Sequence, residues 1–169
     1  MQRLVTPSAQ LSVRGLLTIH SAPSALRAHI DWAIQNILGS DAQLNWLPQP
    51  IMVGTFKSKC QWSARGGSGA EIASTLRSWH YLNFEVIESH ENGGELFRFT
   101  PELGIHRAVT DLSGSVLLNE FAINNVMQNA FDEDSMREGF ALAMGAPWDA
   151  QLEKFRGVGM AEVARLHAI

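Results

Sequence analysis

With one cysteine in 169 residues, Cys60 has nothing to pair with inside the chain, and the six scattered histidines complete no zinc-finger spacing around it. Disulfide staples are excluded, and a reducing, cytoplasmic setting is the expectation. Long hydrophobic runs are also missing. The first ten residues lack the apolar core of a signal peptide, and no stretch approaches the roughly 20 residues that a membrane span requires. Nor is there an excess of basic charge: thirteen Lys and Arg stand against seventeen Asp and Glu, for a net charge of −4. Without a basic stripe to displace counterions, nucleic acid is not an expected partner, and neither is a membrane. No repeat and no low-complexity tract divides the chain.

What is present is a chain that is 46% hydrophobic and 18% charged, long enough to bury a core without staples. Val13 to His20 alternates as a strand. Ser21 then reads as a helix cap and Pro23 as a first turn, ahead of an amphipathic helix carrying Leu26, Ile30, Ala33, Ile34, Ile37 and Leu38 and stopped by Gly39. Gln43 to Leu47 is a short strand broken by Pro48 and Pro50. Met52 to Ala64 is a long one, with Phe56, Ser58, Cys60 and Trp62 on a dry side and Thr55, Lys57, Lys59 and Gln61 on a wet side. A Gly-rich turn leads to a second helix bearing Ile72, Ala73, Leu76 and Trp79, and Asn83 to Glu91 returns as a strand.

This β-α-β-β-α-β order predicts an α+β protein with a ferredoxin-like antiparallel sheet. Asn92-Gly93 suggests a type I′ hairpin into Glu95 to Thr100, and the meander continues through Ile105 to Thr110 and Ser115 to Leu118. The period then changes to helical, with segments around Ile123 to Ala130, Asp132 to Met144 and Pro147 to Phe155. Gly157 and Gly159 are expected to set off a last short turn around Val163 and Leu166. The division is a sheet domain over 1–118 and a helical part over 119–169 packed on it as one compact unit. Residues 1–115 carry nine charges of each sign, whereas 116–169 carry four basic and eight acidic. Complementary charge therefore favours the acidic helices lying over or beside the lysine-bearing sheet face.

Three groups of residues bear on function. Gly66-Gly67-Ser68-Gly69-Ala70, between a strand and a helix, approximates a nucleophile elbow, with Ser68 as a weak candidate nucleophile and Asp111 and His167 in the matching chain order. The same turn, with Arg65 beside it, reads as an anion site built from the N–H groups of Gly67, Ser68 and Gly69, or simply as a turn in which Ser68 caps the helix. Lys57, Lys59 and, by parity, Thr18 and His20 share one sheet face open to a ligand, a second subunit or the C-terminal helices. His80, His90 and His106 match no metal motif, so no metal is expected, although three ligands from separate strands would need no motif.

Several further positions carry a resemblance: Ile19-His20-Ser21-Ala22-Pro23, Leu38-Gly39, Trp46 with Gln49-Pro50, Gly54-Thr55, Trp62, Gly69-Ala70, Leu76-Arg77-Ser78-Trp79, Phe84-Glu85-Val86 and Leu103-Gly104-Ile105. Through these the chain, up to about Met127, resembles an uncharacterised family of actinobacterial cytoplasmic proteins, a domain of unknown function. The resemblance implies an accessory role near fatty-acid synthesis and assigns no residue a role. The expectation is a non-catalytic binding or accessory module without a cofactor, taking a protein partner or a small anionic metabolite through Lys57, Lys59, His20 and Ser68 to Gly69. A Ser68 hydrolase and a homodimer with paired sheets are the alternatives.

Overall fold

The computed structural model describes residues 12–166, with side chains described through residue 157. In chain order the elements are β1 (Ser12–Pro23), a 3-10 turn (Ser24–Leu26), α1 (Arg27–Leu38), β2 (Leu47–Pro48), β3 (Thr55–Arg65) and α2 (Ser68–Leu76). There follow β4 (Asn83–His90), β5 (Gly93–Thr100), β6 (Gly104–Thr110), β7 (Val116–Leu117), α3 (Glu120–Asn129), α4 (Glu133–Met144) and α5 (Ala146–Leu166). The fold is α+β: one open sheet of seven antiparallel strands in the order β2-β3-β1-β4-β5-β6-β7, with helices on it. Among the described residues no helix is long and apolar enough to cross a membrane.

Register explains the two layers, because directly paired residues project from the same face. Val13, Leu17 and Ile19 of β1 pair with Ala64, Cys60 and Ser58 of β3; Leu17 and Ile19 also pair with Val86 and Phe84 of β4. This apolar face meets Ile30 and Ile34 of α1 and Ile72, Ala73 and Leu76 of α2 in one core. The dry and wet sides expected of β3 are present: Ser58, Cys60 and Trp62 are buried, and Lys59, Gln61 and Ser63 are exposed. Burial also raises the Cys60 thiol pKa, keeping it in the inert protonated form.

The opposite face is organised by one transverse row. Lys59, Thr18, Glu85, Arg98 and His106 are successive register partners on β3, β1, β4, β5 and β6. α5 lies across this row, burying Trp148, Leu152 and Phe155. Their spacing of four and three residues puts them on one stripe of the helix. Trp148 donates its indole N–H to the Gly104 carbonyl at 2.9 Å, and His106 and Trp148 lie ring against ring at 4.8 Å. Beyond the row, Arg14, Leu16, Gln61, Ser63, Ile87 and Ser89 line an open part of the sheet surface.

Several local expectations are corrected. Ser21 does not cap a helix and Pro23 does not open one; β1 runs through both, and Ser21 accepts a hydrogen bond from the Asn83 amide at 2.8 Å. The β4–β5 hairpin closes at His90–Gly93 with Glu91 and Asn92 between them, and since no non-glycine residue among those described has positive φ, the turn is not type I′. Gly157 and Gly159 do not break the last helix, because α5 continues to Leu166; helix continuity outweighs the roughly 1 kcal/mol glycine penalty at each position.

Candidate functional site

A β-bulge builds the site. Between Ile19 and Ala22 the β1 register slips against β3, and against β4 the slip falls between Ile19 and Ser21. The extra residue puts His20 and Ser21 both on the α5 side, where strict alternation would allow only one. Gln49, almost wholly buried, donates from Nε2 to the His20 carbonyl at 2.7 Å and so provides a partner within the interrupted ladder.

His20 is itself buried. Its Nε2 lies 2.7 Å from Glu85 Oε2, and its ring stacks on Phe155 with centroids 5.9 Å apart. Glu85 is the hub of the transverse row. It accepts from Arg98 Nε at 3.1 Å and from the Arg156 guanidinium, while Asp149 bridges Arg98 and Arg156 from above, each at 2.8 Å. Burial alone would raise the Glu85 carboxyl, but hydrogen bonds from His20 and Arg156, together with their positive charge, outweigh it. They lower its pKa from an ordinary 4.5 to about 2.

Beside this clamp lies a cavity of about 550 Å³, within the range of small-molecule sites. Thr18, Ile19, His20, Asn45, Leu47, Gln49, Lys57, Ser58 and Lys59 line it from the sheet side, with Phe155 and Arg156 from α5. Three of the expected contacts, His20, Lys57 and Lys59, thus come together. The expected open face is covered here by α5, so the site is a half-open cleft and not a bare sheet surface. Arg156, Phe155 and Gln49 escaped sequence reasoning: α5 reads as an ordinary amphipathic helix, and Gln49 sits between two prolines that resemble a loop.

The Gly-rich turn is elsewhere, against the α1/α2 face. The N–H groups of Gly67 and Gly69 donate to the two carboxylate oxygens of Glu88, at 2.8 and 2.6 Å, and Glu88 has no exposed surface. The turn therefore holds an anion, but an internal one. Ser68 is 1% exposed and makes no side-chain cap; the cap position is Gly67 at φ +90°. Arg65 reaches past the turn to Glu71 at 3.0 Å. Asp111 folds back on Ser113 and Ser115, with no described link to Ser68, and His167 lies outside the described residues. Ser68 thus has neither access nor a described base.

A sequence signal for this arrangement exists: Glu88 continues the dry-side series Phe84, Val86, so an acid falls where an apolar residue belongs. Glu88→Gln is expected to lower stability by about 2 kcal/mol, because an amide offers one acceptor oxygen to two buried donors. Urea unfolding monitored by circular dichroism would measure it, and an unchanged midpoint would contradict the assignment.

Compared with curated proteins and with solved structures, the chain finds no match in either set. The sequence from residue 16 to residue 168 does fit one family model, so the chain belongs to the family described as protein of unknown function DUF3145.

Proposed function

We propose that this chain is a non-catalytic binding module whose ligand is a small anionic metabolite with an apolar portion, held in the cleft between β1, β3 and α5. The observation that carries the reading is the lining itself: two lysines and an arginine, no carboxylate, and an apolar wall from Ile19, Leu47 and Phe155. Arg156 is already tied to Glu85, Asp149 and Glu153, so it supplies shape and background charge. Lys59, exposed at the cleft edge, supplies the recognising charge. The strand order β2-β3-β1-β4, with helices after β1 and β3, supports reading the first half as a ferredoxin-like unit. The cleft draws on residues from both 1–118 and 119–169, which favours treating the two parts as one working unit. The link to fatty-acid synthesis has no residue behind it and forms no part of the proposal.

The anionic fluorophore anilinonaphthalene sulfonate is a suitable probe. Saturable one-to-one binding is expected, weakened about tenfold in the Lys57→Gln/Lys59→Gln double variant, the loss that follows from removing charge-assisted contacts. Equal affinity in the double variant would reject the reading. A second reading, an interface for a protein partner or a second copy, is favoured by Phe121, Met127 and Phe131 standing largely in solvent on and beside α3. Sedimentation at rising concentration tests self-association; a monomer throughout would leave only a different protein as occupant.

A further inference from the structure

We infer that Glu88, His90 and Glu95 form a binding site for a divalent transition-metal ion of zinc type at the β4–β5 hairpin. Glu88 and His90 are two residues apart on β4 and share a face, and Glu95 is the direct cross-strand partner of Glu88 on β5. One ligand atom from each lies within 4.8 Å of the others.

Two carboxylates directly opposite on one sheet face repel, and Glu88 is completely buried, so the arrangement calls for a cation. Arg107, itself largely exposed, meets part of that need by pairing with Glu95, and a metal ion would compete with it for that carboxylate. His90 Nε2 stands 3.2 Å from Glu88 Oε1. Tetrahedral zinc with ligands at about 2.1 Å places neighbouring donors about 3.4 Å apart, so this pair already has the right separation. Glu95, with a ligand atom within 4.8 Å of the other two, completes the set by rotamer adjustment of its side chain.

The support around the site fits a ligand role. The amides of Gly67 and Gly69 hold the Glu88 carboxylate in place while leaving lone pairs on both oxygens, as outer-shell donors do in metal centres. At Gly69 a Cβ would lie 3.0 Å from Glu88 Oε2, so the glycine lets the helix start come this close. His90 is 40% exposed and gives the ion an entry path and room for a water. One imidazole with two carboxylates suits zinc, whereas magnesium and calcium prefer all-oxygen sets. Bound there, the ion would join β4 and β5 and, through Glu88, the start of α2.

Zinc chloride titrated calorimetrically into the full chain tests the site. The expected result is one equivalent bound, with affinity reduced at least about tenfold in His90→Ala and in Glu95→Gln, and a melting temperature raised by zinc in the parent only. Both substitutions lie at the rim, and melting curves of the metal-free variants verify that they fold. Absence of binding at millimolar zinc, or equal affinity in parent and both variants, as other surface histidines would give, overturns the inference.

Discussion

Glu85→Ala is expected to lower stability by about 4 kcal/mol and to release α5 from the sheet. Removing the central member of a largely buried ion cluster takes the carboxylate partner from buried His20 and Arg98 and leaves the charges of Arg98 and Arg156 bridged by Asp149, with Glu153 at the rim. The lowered pKa of Glu85, which arises from the same contacts, points to a contribution of similar size. A fall from 4.5 to about 2 corresponds to a stabilisation on the order of 3 kcal/mol. The folded-state pKa is depressed, so this contribution is fully present above the unfolded value and is lost as pH falls from about 4.5 toward 2. Urea titrations of the parent and of Glu85→Gln across that interval should converge toward the acid end, since the parent carboxyl becomes neutral there as well. Hydrogen exchange in α5 should quicken in the alanine variant at neutral pH. A parent and variant that stay parallel across the acid range would disprove the hub role of Glu85.

Gly15→Ala should be nearly as damaging, at about 3 kcal/mol, although it adds a single methyl group. The new Cβ would sit 2.0 Å from the Trp62 ring and 2.6 Å from the Ile87 carbonyl oxygen. Trp62 is buried and Ile87 presents main chain, so neither can yield without disturbing β3 or β4. The double variant with Trp62→Leu separates the two collisions. If the ring is the main obstacle, the alanine penalty measured in the leucine background should be less than half that in the parent. An additive double variant would mean that the backbone contact dominates.

The regular part of this architecture is readable in the residues because alternation and helical periodicity are local. Phe56 to Trp62 shows its two sides unaided, as do the stripes of α1 and α2. The site is less readable, because its parts acquire meaning only from partners far along the chain. Ser21-Ala22-Pro23 has the composition of a helix entry; only pairing with both β3 and β4 makes it the end of a bulged strand. The amides of Gly67 and Gly69 look available for a ligand until Glu88, about twenty residues away, is seen to fill them. Asn92-Gly93 misleads in the opposite direction, since cross-strand register moves the turn back by one residue. Parity alone puts His20, Lys57 and Lys59 on one face, whereas Arg156 and Phe155 join them by a tertiary contact that no local pattern encodes.

The Glu85 clamp also constrains how the molecule is made. Arg156 reaches Glu85 across 71 positions of sequence, and Phe155 stacks on a residue of the first strand. A ribosome extends the chain from the N-terminus, so the seven strands can assemble while α5 is still inside the exit tunnel. During that interval the nascent polypeptide displays Glu85, Arg98 and His20 to water and lacks the wall that completes the cleft. The cleft is therefore complete only once α5 has left the ribosome and docked on the sheet, and a message cut short before the codon for Trp148 would yield a sheet without a lid.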